Sequence, residues 1–314
     1  MISRTVGVNI TPLSPLGPFD AQWLKTVAQQ VERLGFDTLW CGDHIIMHNA
    51  ILDAMTVLAT FGAVTERLKI GTGVLLIPLR HPVAIAKQVT SLDVLTQGRF
   101  QLGVGVGGEI PHEFAAVNIR VHERGRRTDE GMEIITRVLS QEKVSYAGKY
   151  YQIEDVTLLP RPQQHPYPPI WVGGRSEAAL RRAARFGSGW MGYMNNPQQA
   201  RNARQRLDDF ALEFGRHPSE IQVSELLMIA IAKDYETARN TAVDELSCRY
   251  NQPFDQIVDR YCLLGTPEQC VESLLPYLES GVDRVELSFC CTNDQLSDQL
   301  EQTAAEILPH LDGA

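Results

Sequence analysis

"VERLGFDTLWCGDH", residues 31–44, decides the fold. It passes from the end of an amphipathic helix, through Gly35, into a short apolar strand and then a polar turn, Gly42-Asp43-His44. Glycine suits that junction because it accepts the left-handed conformation that closes a helix. Two further stretches follow the same plan, "RAARFGSGWMGY" through Gly187 and "YLESGVDRVELSF" through Gly281. The helices before the first and last are amphipathic. Phe19, Trp23, Val27, Val31 and Leu34 recur every three or four residues, as do Val271, Leu274, Leu275 and Leu278. Pro82 suits a first helical position, and Thr266-Pro267-Glu268 opens another helix.

Working outward, apolar strand runs fall at residues 6–10, 38–41, 70–77, 100–106, 170–172, 190–193, 221–231 and 284–289, with helical segments between nearly all of them. Such alternation means parallel strands with helices outside. Eight units over 314 residues predict a (β/α)8 TIM barrel, one domain across residues 1–314. A doubly wound open sheet is the alternative, but it rarely needs eight units. One insertion, about 144–169, stands out. Ala147-Gly148-Lys149 reads as the turn of a β-hairpin between 144–146 and 150–153, and a proline-rich return to the barrel follows.

A chain that is 44% hydrophobic and 21% charged, with net charge −9, is an ordinary globular protein whose acidic balance disfavours nucleic acid or an anionic membrane. The first strand-like run starts almost at Met1, so no secretory signal is expected, and no apolar run is long enough to span a bilayer. The six cysteines lack metal spacing and are too dispersed for a disulfide framework. Cys41, Cys290 and Cys291 read as small buried hydrophobes, and the cytoplasm is the expected compartment.

In this fold the active site lies at the C-terminal ends of the strands. Those ends carry Asp43 and His44 after strand two, "GTGVLLIP" in strand three, "GVGVGGE" after strand four and "VGGRS" after strand five. His44 can carry a proton near neutral pH, with Asp43 beside it; the plain alternative is a histidine bonding its own loop. Gly71 and Gly73 interrupt an otherwise apolar strand, so either the backbone bends for packing or a flat group lies against it. "VGVGG" reads as backbone stripped of side chains for close approach of a planar ligand. Gly173, Gly174, Arg175 and Ser176 form a strand-to-helix turn that binds phosphate through backbone amides, or is a plain turn with a serine cap. "HERGRRTDE" reads as a helix start with solvated charges, Arg126 near Asp129 and Glu130. "RHP" reads as a loop entering a helix.

Together "TLWCGDH", "ERLKIGTGVLLIPLRHPVAIAKQVTSLDVLTQGRFQLGVGVGG", "ERGRRTDE", "YYQIEDVTLLPRPQQHPYPPIWVGG" and "GTPEQCVESL" resemble, in order, the bacterial luciferase-like flavin oxidoreductase superfamily. The coenzyme F420-dependent branch is the most similar, and FMN-dependent relatives are the alternative. The resemblance implies an isoalloxazine-type ring at the strand C-termini and a non-prolyl cis peptide at Gly73–Val74 under the ring face, Val74 buttressing it. By the same carry-over His44 is the catalytic residue. The cofactor-binding residues are Asp43, Thr72, Gly73, Val74, Gly107, Gly173, Gly174, Arg175 and Ser176, and no metal is expected. The loop after His44 is shorter than the family's, and Gly108-Glu109 stands where the family often has tryptophan.

Four functions compete. The first is hydride transfer between coenzyme F420 and a small organic substrate, with Arg175, Arg181 and Arg182 available to the anionic tail. The second is an FMNH2-dependent monooxygenase using oxygen with a partner flavin reductase. The third is a non-catalytic flavin-binding protein, for which His44 would have no use. The last is a metal-dependent hydrolase, whose clustered ligands are missing. The resemblance also implies a homodimer.

Overall fold

The computed structural model describes residues 5–11, 13–14 and 20–311. Eight parallel strands close into a barrel: β1 (Thr5–Ile10), β2 (Thr38–Cys41), β3 (Lys69–Thr72, resuming at Leu75–Leu76), β4 (Phe100–Gly105), β5 (Ile170–Gly173), β6 (Gly189–Tyr193), β7 (Gln222–Ile231) and β8 (Arg284–Phe289). Each pairs with its neighbour, and β8 closes on β1 with Val6 opposite Val285. The barrel helices are α1 (Ala21–Arg33), α2 (Ala54–Val64), α3 (Pro82–Leu95), α4 (Arg124–Ser140), α5 (Glu177–Phe186), α6 (Pro197–Glu213), α7 (Pro267–Leu278) and α8 (Asn293–Glu306). This is the TIM-barrel arrangement that the helix-glycine-strand units predict.

Local chemistry explains the elements. In α1, Asp20 accepts from Gln22 N–H, and Leu24, Val27, Ala28 and Val31 form the buried stripe. Phe19 lies outside the described residues. Burial of each such valine or leucine stabilises by about 1.5–3 kcal/mol. Thr266 and Gln269 form a capping box on α7, and Pro82 begins α3. Gly35 and Gly281 take the expected left-handed φ, +86° and +89°. Gly187 does not: its φ is −83°. Glycine is needed there for space, since a Cβ would lie 2.9 Å from the carbonyl oxygens of Ala183 and Gly189.

The insertion is an antiparallel hairpin, Val144–Ala147 with Gln152–Val156. Glu130 of α4 holds its turn by accepting from the amides of Lys149, Tyr150 and Tyr151. The "ERGRRTDE" charges are therefore more than solvated: Asp129 also pairs with Arg182 at 2.6 Å. A strand that the apolar count passes over, Cys262–Gly265, pairs with the far half of β7. A helix over Tyr235–Tyr250 precedes it and packs Leu246 against Met228, Leu264 and Cys290. Leu13–Ser14 pairs with Ala50–Ile51.

The barrel interior is partly polar. Glu286 accepts from Trp40 Nε1 at 2.6 Å, Ser224 Oγ at 3.0 Å and Arg284 Nε at 3.0 Å. Above it Trp40 meets Trp171 edge-on, with centroids 5.9 Å apart. Gly71 makes room for that indole, because a Cβ would stand 2.5 Å from Trp40 Cζ3. The first glycine of strand three is therefore there for packing. Among the described residues, no helix is long and apolar enough to cross a membrane.

Candidate active site

At the C-terminal mouth, β3 breaks between its two parts, and the Gly73–Val74 peptide bond is cis. The break is held from three sides. Gly73 N–H donates to Cys41 O at 2.8 Å, Asn9 Nδ2 donates to Gly73 O at 3.1 Å, and Leu76 N–H donates to Asp43 Oδ2 at 3.0 Å. Val74 sits on glycines: a Cβ on Gly105 would lie 2.6 Å from its Cγ2, and one on Gly173 3.0 Å from its Cγ1. Gly73 and Val74 are half-buried, so a small shelf of backbone and one branched side chain faces the mouth.

Asp43 works beneath this shelf. It is buried, and Arg80 grips it with two bonds of 2.7 Å. Burial raises its carboxyl above the ordinary range, and the Arg80 fork and the Leu76 amide oppose that. Arg80, read from sequence as part of a loop, also reaches Asp53, the N-cap of α2. Thr72 is buried as well, its hydroxyl donating to Gly103 O at 2.6 Å. Asp43 and Thr72 therefore brace the shelf from behind, and their polar atoms are occupied.

His44 stands at the rim, and its Nδ1 lies 3.1 Å from Glu113 Oε2. Glu113 is fully buried in the short helix Pro111–Ala116, and its other oxygen accepts from Ile45 N–H at 2.6 Å. The His44 pKa is raised. Burial alone would lower it, but the hydrogen bond and charge of Glu113 prevail, helped by Asp43 and Glu109. With Nδ1–H directed at a carboxylate, Nε2 is the ring nitrogen free for other work. Sequence reading missed Glu113. The signal was a carboxylate beside an aromatic in "EIPHEF", just past the glycine run, but nothing local says that it turns towards His44.

The remaining predicted residues line the other side. Gly107 and Gly108 have positive φ, +58° and +120°, and a Cβ on Gly108 would stand 2.7 Å from Arg124 Nε. Gly174 also has positive φ, +123°, and its carbonyl accepts from Trp190 Nε1 at 2.7 Å. Ser176 caps α5 by accepting from Ala179 N–H at 3.2 Å. The amides opening α5 have no intrahelical acceptor. Arg175 is exposed, and among the described residues its side chain donates a hydrogen bond to Met194 O alone, at 3.3 Å. Arg181 and Arg182 are committed elsewhere, to Glu213 at 2.8 Å and Asp129 at 2.6 Å. Of the three arginines read as available to an anionic tail, Arg175 alone keeps that freedom. Among the described residues, no three His, Cys, Asp or Glu side chains gather in a metal-binding group.

A barrel with a cis-peptide shelf in strand three and a histidine at the rim of strand two matches the expectation from the sequence motifs. Residues 7–284 match the luciferase-like monooxygenase family. The chain belongs to that family. It is 28% identical over 307 residues to the F420-dependent glucose-6-phosphate dehydrogenase of Microbacterium testaceum, covering 89% of this chain and 90% of that one. It is 24% identical over 341 residues to the FMNH(2)-dependent dimethylsulfone monooxygenase of Pseudomonas putida, covering 96% and 91%. The crystal structure of monooxygenase RslO1 from Streptomyces bottropensis superposes with a TM-score of 0.86 at 27% identity, covering 98% and 99%. Luciferase-like relatives thus include both deazaflavin-dependent and flavin-dependent enzymes.

Proposed function

We propose that this luciferase-like oxidoreductase transfers a hydride between coenzyme F420 and a small organic substrate. The observation that carries the reading is the His44–Glu113 pair beside the half-exposed Val74 shelf. A flat ring fits the shelf, because glycines at 105 and 173 keep Val74 seated and Gly107 itself adds no side chain. When bound, the deazaflavin supplies a two-electron hydride carrier. The chain does the rest. Val74 supports one face, and the α5 amides with Arg175 take the anionic tail. Asp43 and Arg80 keep the shelf in register with β2. His44, protonated more readily than a free imidazole, holds a proton on Nε2 for the substrate atom that gains or loses charge.

A second reading, an FMNH2-dependent monooxygenase served by a partner flavin reductase, is favoured by the likeness to the dimethylsulfone monooxygenase over nearly the whole chain. A purely flavin-binding role gives no use to the proton that Glu113 helps to hold on His44. As part of the same proposal, the protein works in the cytoplasm as a homodimer. Titration of purified protein with F420 and with FMN, followed by cofactor fluorescence, separates the readings. Saturable binding of F420 is expected; saturable binding of FMN with none of F420 replaces the first reading by the second.

A further inference from the structure

Beside the shelf, the structure contains a second space that the site above does not use. A cavity of about 720 Å³ lies between the ends of β1 and β8, the helix Tyr235–Tyr250 and the start of α8. Asn9, which holds the Gly73 carbonyl, is part of its wall, so cavity and shelf meet at that side chain. Ile10, Trp23, Phe289 and Leu296 give it apolar surface.

Its charges point one way. Among the described residues lining it, Asp244, Glu245 and Asp294 carry carboxylates against a single guanidinium, Arg249. That guanidinium is already committed. It donates twice to Glu245 Oε1, at 3.0 and 2.8 Å, once to Ser288 Oγ at 2.9 Å and once to Phe289 O at 3.0 Å. Asp244 and Asp294 are exposed. The helix over Tyr235–Tyr250 presents its negative end here, with Cys248 O accepting from Asn49 Nδ2 at 3.2 Å. The start of α8 would favour an anion, but Thr292 and Gln295 close it with a capping box and Asp294 stands in its first turn.

We infer that this cavity admits the substrate, and that it selects neutral or cationic molecules with an apolar body and rejects anions such as phosphorylated sugars. The inference rests on the reading that a substrate reaches a ring lying over Val74. It separates this protein from a relative named for glucose 6-phosphate, whatever the two share in cofactor handling.

The test needs no cofactor. Cys248 is a free, exposed thiol lining the cavity, so its alkylation rate reports occupancy. N-ethylmaleimide labelling of Cys248, resolved by peptide mass mapping, is measured in the apoprotein against three ligands of one shape: phenethylamine, 2-phenylethanol and phenylacetate. Glucose 6-phosphate is the fourth. The amine and the alcohol are expected to protect Cys248 saturably, and phenylacetate about tenfold more weakly, because Asp244, Asp294 and the negative end of the helix all repel an anion. Glucose 6-phosphate is expected to give no protection. The double variant D244K/D294K should reverse the order of amine and carboxylate. Protection by phenylacetate or glucose 6-phosphate equal to that of the amine, or protection by none of the four, overturns the inference. F420 titration of the same sample reports separately on the reading beneath it.

Discussion

The two sides of the barrel mouth treat buried acids differently. On the side of β2 to β5, Asp43 receives an amide and a guanidinium fork, and Glu113 receives His44 and an amide. On the side of β6 to β8, Glu286 is satisfied by three donors, but among the described residues Glu225 and Glu245 each bury an oxygen that has no partner. The acids of the first side are satisfied before any ligand arrives, as the proposed ring site would need. The second carries its acids at a cost, because an unsatisfied buried acceptor is unfavourable by about 1–3 kcal/mol.

Four measurements break or sharpen this contrast. The largest effect should come from His44→Ala, which is expected to lower turnover by about 10²–10⁴-fold while F420 binding persists. Full turnover by this variant would remove His44 from the chemistry. Arg80→Met leaves Asp43 buried without its cation and should destabilise the protein by about 3–5 kcal/mol in urea unfolding. An unchanged midpoint would show that the cofactor side does not depend on that pair.

Glu225→Gln probes the other side. Burial pushes the Glu225 carboxyl up to about 8, with Asn195 Nδ2 opposing at 2.9 Å. The unfolded chain ionises this group near 4.5, so the contribution of Glu225 to stability is greatest below that pH, falls as pH rises towards about 8, and is level above it. The glutamine variant should gain stability at pH 7 and flatten that part of the profile, measured by thermal unfolding across pH 4–9. A profile identical to that of the parent would place the pH response elsewhere. The smallest change is expected from Glu113→Gln. The His44 imidazolium is favoured below its raised pKa and lost as pH rises through it. Removing the carboxylate charge should therefore move the high-pH loss of reductive turnover to lower pH, with the fold intact. A pH profile that stays in place would mean that Glu113 merely anchors the Ile45 loop.

The barrel and the hairpin insertion could be read from contiguous motifs, because glycine, strand and cap signals act over a few residues; the cis bond at Gly73–Val74 was expected only through the family resemblance. The Cys262–Gly265 strand was missed because four residues offer little periodicity. Gly187 was assigned a left-handed turn when its need was space. Arg181 and Arg182 looked free in sequence and are paired in the fold.

By itself, the sequence determined the alternation of helix and strand and the eight units that predict a barrel. These depend on short-range patterns of size and polarity. Only the tertiary structure decided that Glu113, 69 positions away, governs His44, that Arg80 neutralises Asp43 and that Arg249, besides its neighbour Glu245 one helical turn away, is taken up by Ser288 and Phe289. A carboxylate acts on whatever cation the fold brings within hydrogen-bonding distance, and distance in space is not written in distance along the chain.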